Sequence, residues 1–416
     1  VKNATLNPLH WSRREWLHWL STSAMGTAGL GVSGLSLSGE VDVANDATAV
    51  TARLAAVWQD RTDGMAQDWA GVLSAAVGPG GQVAWNVAAK MALPTRGHGL
   101  QRLPDGQIVF AARRPGDWLV RWQPEDGKAH WAWMDEDRCF NGHVVLAGDA
   151  TVHAHGGASG SAGILLTTET DLEDSQGCIG LRDARTLEKR AEWRTHGMDP
   201  HELIVLAEAV GSYPAGTLIV ANGGIPTQSE TGRSKKWLDG MDPSLVALDP
   251  RDGRLLGQWK LPDPRLSIRH LAWDSERQIM GIALQAEHSD ARRQGAPVFA
   301  VWNGRELRAA QDQPPLAGYG GSVECAPGPQ GGFVVSCPRS NCLARFDTQG
   351  RYLGAVEQAD VCPLARDGER LWSGGQGRVT LQSPQHARLA SDNAPGVQLD
   401  NHWRLLREPG EGVQRA

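Results

Sequence analysis

Residues 93–134 read LPTRGHGLQRLPDGQIVFAARRPGDWLVRWQPEDGKAHWAWM. Four short runs stand in a row here: 98–103, closed by Pro104-Asp105-Gly106; 107–113, closed by Pro115-Gly116; 118–123, closed by a turn at 124–127; and 128–134. Each run places β-branched or aromatic residues in near alternation, and each turn carries Pro, Gly or Asp, the residues that fix or permit turn backbone. Four antiparallel strands in a meander of about forty residues form one blade of a β-propeller.

The same plan recurs on both sides. Before this blade, 53–59, 69–77 and 82–88 read as three strands. After it, further sets open at His143, His201, His270, Ser322 and Cys362. They are interrupted by a Gly/His/Ser-rich insertion at 151–163 and a long loop at 223–243. The segment 401–406, NHWRLL, reads as a first strand without a blade, whereas 53–88 lacks a first strand. Joining the two gives a seventh blade built from both ends of the chain and removes the open edges of an unclosed ring. The expected fold is all-β, a seven-bladed propeller over 50–406, preceded by an export signal and linker at 1–49 and followed by a tail at 407–416.

Composition agrees with one large β-repeat domain. The 416 residues are 41% hydrophobic and 21% charged, as in a globular chain, and 50 glycines and 23 prolines supply many turns. The 17 tryptophans fall late in many strands, where a large ring fills the wedge between blades. Net charge is -6 with no long basic run, so nucleic acid is not an expected partner. No run of eighteen apolar residues follows the N-terminal segment, so no membrane span is expected after its removal, and a monomer is expected. Arg13 and Arg14 precede a weakly apolar Gly/Ser/Ala-rich stretch reaching about Gly39, the pattern of a twin-arginine export signal, with cleavage after Ala44 or Ala49. A periplasmic location follows from that reading.

The first strands of the seven blades are expected to open at His402, His98, His143, His201, His270, Ser322 and Cys362, so five of seven equivalent positions are histidine. First strands line the central channel of a propeller, so five imidazoles far apart in sequence would meet at one level of the axis. Imidazole is the commonest transition-metal ligand, and iron or copper are the metals considered. Arg96, Glu202 and Arg269 flank these histidines, and Glu169 and Asn222, which close second strands, are expected to reach the same face. Two guanidinium groups near the axis favour an anionic or metal-complexed ligand over a bare dication. The structural alternative is that the histidines bond carbonyls of neighbouring blades and lock the ring. No phosphate loop, nucleophile elbow or C-x-x-C is present, and Cys337 and Cys342 flank a hairpin as two thiols or a small disulfide.

Nine motifs in order, RGHG (96–99), GHVV (142–145), TTETD (167–171), HGMDPHEL (196–203), VANGGI (220–225), MDPSLVALD (241–249), SIRHLA (267–272), YGGSV (319–323) and DNHW (400–403), resemble the bacterial domain-of-unknown-function 1513 family of exported β-propellers over about 53–406. The resemblance implies a periplasmic seven-bladed propeller with a part in iron acquisition, beside imelysin-type and di-haem-peroxidase-like proteins. The insertion at 151–163 departs from the family pattern. The metal assignment rests on the register of the histidines and not on the family. Three functions are consistent with these observations: a non-enzymatic binding module for a metal, metal complex or partner protein; a metal- or quinone-dependent oxidoreductase; and an interaction scaffold with structural histidines.

Overall fold

The computed structural model describes residues 51–406 apart from 62–63, 79–80, 149–162, 228–236, 385–387, 392–393 and 395. The export segment with Arg13 and Arg14, both cleavage positions, the tail at 407–416 and nearly all of the insertion at 151–163 lie outside the described residues. The described residues form five four-stranded sheets and one eight-stranded sheet. The eight-stranded sheet is two blades joined at the axis by one parallel bridge, Leu364 to His402, so the whole is a seven-bladed propeller. No described helix is long and apolar enough to cross a membrane.

Blade 1 has its four strands at Gly97–Arg102, Ile108–Ala112, Trp118–Trp122 and Ala129–Trp133, within a residue or two of the runs read from the sequence. The inner strands of blades 2 to 6 are Arg138–Leu146, Pro200–Val205, Leu266–Asp274, Ser322–Cys325 and Leu364–Asp367. Blade 7 takes its inner strand, Val397–Leu405, from the C-terminal side and its other three, Thr51–Asp60, Gln67–Val77 and Val83–Ala92, from the N-terminal side. The closing pair is antiparallel, from Leu54 opposite Leu405 to Asp60 opposite Val397, and is extended by Leu406 N donating to Arg53 O at 2.7 Å.

Among the described residues the buried apolar side chains fall into seven clusters, and each joins two adjacent blades. Blades 3 and 4 meet around Ile219, Met280 and Trp302; blades 6 and 7 around Leu54, Trp372 and Trp403; blades 7 and 1 around Val57, Phe110 and Trp118. Tryptophan suits these sites because blades diverge outward and only a large ring fills the gap. Trp118, Trp122, Trp302 and Trp372 are fully buried. Cys337 and Cys342 stand directly opposite each other across their hairpin as free thiols. The Cys342 thiol is held down, and that of Cys337 up, by the hydrogen bond between them.

Candidate metal centre

The histidines do not open their strands, as the repeat pattern suggests; they stand inside them, each at or beside a break in strand pairing. In blade 1, Gly97 faces Ala112 and Leu100 faces Phe110, so His98 and Gly99 share one partner position. In blade 2, Phe140 faces Glu169 and Val144 faces Thr167, which crowds residues 141–143 against one position. His201 and Glu202 share one position in blade 3, Arg269 is the extra residue before His270 in blade 4, and residues 400–402 oppose Val57 alone in blade 7. Such bulges bend the strand, interrupt its alternation and re-aim side chains. The inner strands of blades 5 and 6, which lack histidine, pair without any shift. Glycine makes room where blades 1 and 2 approach: Gly142 has φ +105°, and a Cβ on it would lie 2.8 Å from His98 Cδ2.

The five imidazoles converge. Ring centroids of His98, His143, His201, His270 and His402 lie between 4.6 and 6.1 Å apart in nine of their pairings. Two triads bring one ligand atom from each ring within 4.8 Å of the others: His98, His143 and His402, and His98, His201 and His270. Nε2 of His98, His143 and His402 has no hydrogen-bond partner, although all three atoms are buried. His201 Nε2 and His270 Nε2 face each other at 3.3 Å. Among the described residues no ring nitrogen of the five bonds a neighbouring carbonyl, so the ring-lock expectation is not met. Orphaned buried nitrogens of this kind cost about 1–3 kcal/mol each in a purely structural role.

Two carboxylates stand behind the rings. Asp400 Oδ1 is 3.5 Å from His98 Nδ1, and Glu202 reaches His270 Nδ1 at 3.3 Å and His143 Nδ1 at 3.9 Å. This is the arrangement in which an outer carboxylate fixes the tautomer and leaves Nε2 free to ligate. Burial drives all five histidine pKa values down; the charges of neighbouring rings add to this for His143, His201, His270 and His402, while Asp400 partly offsets it for His98. The imidazoles are therefore neutral, the form that binds metal. Burial pushes Glu202 up. Burial would raise Asp400 too, but the hydrogen bond with His98 and the charges of Arg113 and Arg96 outweigh it and hold Asp400 well below the carboxylate range. Arg96 pairs with Asp400 at 2.5 Å, and Arg269 pairs with buried Asp199 at 2.9 Å while its Nη1 is 3.5 Å from His201 Nδ1.

The belt of histidines separates two cavities on the axis. One, of about 180 Å³, is lined by His98, His201, His270, Arg113 and Arg269 among others. The other, of about 380 Å³, is lined by His143, His402, Glu202, Glu324 and Arg404 among others. Ser322 and Cys362, at the equivalent positions of blades 5 and 6, join neither triad.

Two expected site residues lie elsewhere. Glu169 is fully buried inside blade 2, where it pairs with Arg182 and Lys189, each at 2.8 Å. Asn222 is also fully buried and donates to Thr195 O at 3.0 Å and Ser244 Oγ at 3.2 Å. Alternation on a second strand places both side chains on a sheet face, where Glu169 meets Arg182 of its own blade and Asn222 reaches Thr195 of blade 2, and neither joins the belt. Asp400, Asp199, Arg113, Arg114 and Arg339 were not singled out by sequence. Asp400 and Asp199 each stand two residues before a belt histidine, in DNH and DPH, and that spacing was the available signal.

Residues 91–406 match the family described as "Protein of unknown function (DUF1513)". No curated protein sequence matches the chain. Among solved structures, the chain is similar to Kuenenia stuttgartiensis hydrazine synthase, with TM-score 0.51 and 11% identity over 76% of this chain and 92% of that one. It is also similar to virginiamycin B lyase from Staphylococcus aureus, with TM-score 0.48 and 12% identity over 72% of this chain and 84% of that one. At 11% identity the likeness to the hydrazine synthase speaks for the fold alone.

Proposed function

The chain belongs to the DUF1513 family of proteins of unknown function, and we propose that its propeller is a binding module whose axial histidines hold one transition-metal ion. The observation that carries this reading is the set of buried, unpartnered Nε2 atoms on His98, His143 and His402, backed at Nδ1 of His98 and His143 by Asp400 and Glu202. Neutral imidazoles without a thiolate or an oxygen cage suit copper, zinc or iron and not magnesium or calcium. Bound there, the ion would offer a Lewis-acidic centre between two cavities. The protein's own part is to orient the rings, keep them neutral and enclose them. His98 belongs to both triads, so one ion per chain is the expected stoichiometry.

The family resemblance favours iron as the metal, a role in iron acquisition and imelysin-type partners in the periplasm. Export through Arg13 and Arg14 and the division into 1–49, 50–406 and 407–416 belong to the same proposal. Replacing both arginines by lysine keeps the charge but removes the guanidinium fork, and should retain the protein in the cytoplasm. Elemental analysis of protein purified from its native host tests the metal. About one equivalent of metal in the wild type, absent from His98→Ala, is expected. Metal-free wild-type protein, or equal metal in the variant, would remove the reading. A bound centre that undergoes reversible oxidation would instead favour the oxidoreductase function.

A further inference from the structure

The smaller axial cavity carries more positive charge than its surroundings neutralise. Four arginines, Arg113, Arg114, Arg269 and Arg339, line it together with His98, His201 and His270. Buried Asp199 pairs with two of them, Arg114 and Arg269. Arg113 and Arg339 form no ion pair among the described residues, although buried Asp400, already paired with Arg96, feels the Arg113 charge, and Arg339 stacks its guanidinium on the Tyr319 ring at 4.3 Å. Guanidinium does not lose its proton in proteins, so this excess persists at any working pH. A concave, partly desolvated site with excess charge of one sign concentrates small ions of the other sign. The larger cavity shows no such excess, since Glu202 and Glu324 stand there with Arg404.

The placement of the two arginines that form no ion pair narrows the ligand. Arg113 follows the second strand of blade 1, and Arg339 lies in the turn Pro338–Ser340 after the second strand of blade 5. The shorter way round the ring from blade 1 to blade 5 passes blades 7 and 6, so the two guanidinium groups belong to opposing walls. A compact anion with one charged group serves one wall, whereas a molecule with several carboxylates can engage both, each through the bidentate fork. The cavity of about 180 Å³ is below the roughly 300–1,000 Å³ typical of pockets for drug-sized ligands, which restricts it to a small molecule. We infer that this cavity binds a small polycarboxylate, held by Arg113 and Arg339, with a carboxylate directed at the His98, His201 and His270 side of the belt. The inference extends the metal-centre reading, but its arginine half stands without the metal.

Calorimetry of the full chain with propane-1,2,3-tricarboxylate, acetate and inorganic phosphate tests this, first on metal-free protein and then after zinc loading. In metal-free protein the tricarboxylate should bind at least tenfold more tightly than acetate or phosphate, and zinc should tighten it further. Arg113→Gln/Arg339→Gln should weaken tricarboxylate binding to the metal-free protein at least tenfold with thermal unfolding unchanged. Arg404→Gln, in the opposite cavity, should leave it unchanged. Equal affinity for acetate and tricarboxylate, an unaffected double variant, tighter binding of phosphate, or a loss in Arg404→Gln would each overturn the inference. Failure of zinc to bind the wild type would remove the metal centre, while tricarboxylate binding to the metal-free protein would still uphold the arginine site.

Discussion

His98 is the ring both triads use, and its Nε2 is buried without a hydrogen-bond partner. Its loss should therefore cost more metal affinity than the loss of any other belt histidine. Asp400 and Glu202 act one step further out, by fixing which nitrogen faces the centre. Outer carboxylates of this kind are worth roughly 10–100-fold in metal affinity. Asp400→Asn and Glu202→Gln should each weaken metal binding within that range in competition titrations with a chromophoric chelator; Asp400→Asn, which also removes the carboxylate paired with Arg96, should lower thermal stability as well. Unchanged affinity in both would deny them an orienting role. The five histidines were legible in the sequence because one residue type recurs at equivalent repeat positions. Glu202 and Arg269 were legible as their chain neighbours. The role of Asp400 was not, because the ring it backs, His98, lies near the other end of the chain and becomes its neighbour only when the ring closes.

The β-bulge is the element that builds the centre. A regular inner strand would alternate its side chains between two faces, and the two inner strands that do stay regular supply no ligand. Strand identity was readable from turn chemistry and alternation; the bulges were not, since they depend on pairing with the next strand. The same blindness misplaced Glu169, whose partner Arg182 becomes visible only once the two strands are paired. Glu169→Ala would leave the buried Arg182 without its carboxylate, a loss of about 3–5 kcal/mol, measurable by urea unfolding and without effect on metal uptake. Glu192 belongs to this network. Burial works against its ionisation, yet hydrogen bonds from Lys189 and Arg138 outweigh it and bring its pKa down to about 2 from the ordinary 4.5. A carboxylate depressed on folding stabilises the native state above its unfolded pKa, and that contribution disappears as pH falls from about 4.5 towards 2. Wild type should therefore lose more stability than Glu192→Gln between pH 5 and about pH 2.5. Equal losses would show that the network contributes nothing to acid stability.

At the scale of the molecule, stability is distributed over seven inter-blade wedges, and the ring depends on the antiparallel pairing of Val397–Leu405 with Thr51–Asp60. Ring closure was legible because 401–406 lacked a blade and 53–88 lacked a first strand. The two-sided axis was not, because the charges that distinguish its cavities come from loops and strand ends of several blades. A chain ending at Leu399 loses Trp403 from the wedge between blades 6 and 7 and exposes the edge of Thr51–Asp60. It should be insoluble or rapidly degraded in limited proteolysis; a truncated protein that melts as cooperatively as the full chain would contradict closure by this strand. The histidine centre is what this closed ring assembles, since His402 arrives on the closing strand and His98, His143, His201 and His270 on four others. X-ray absorption at the edge of the bound metal addresses it most directly. A first shell of at least three imidazole nitrogens at about 2.0–2.1 Å, lost in His98→Ala, is the expected result; a shell of oxygen ligands alone, or an imidazole shell that survives His98→Ala, would contradict it.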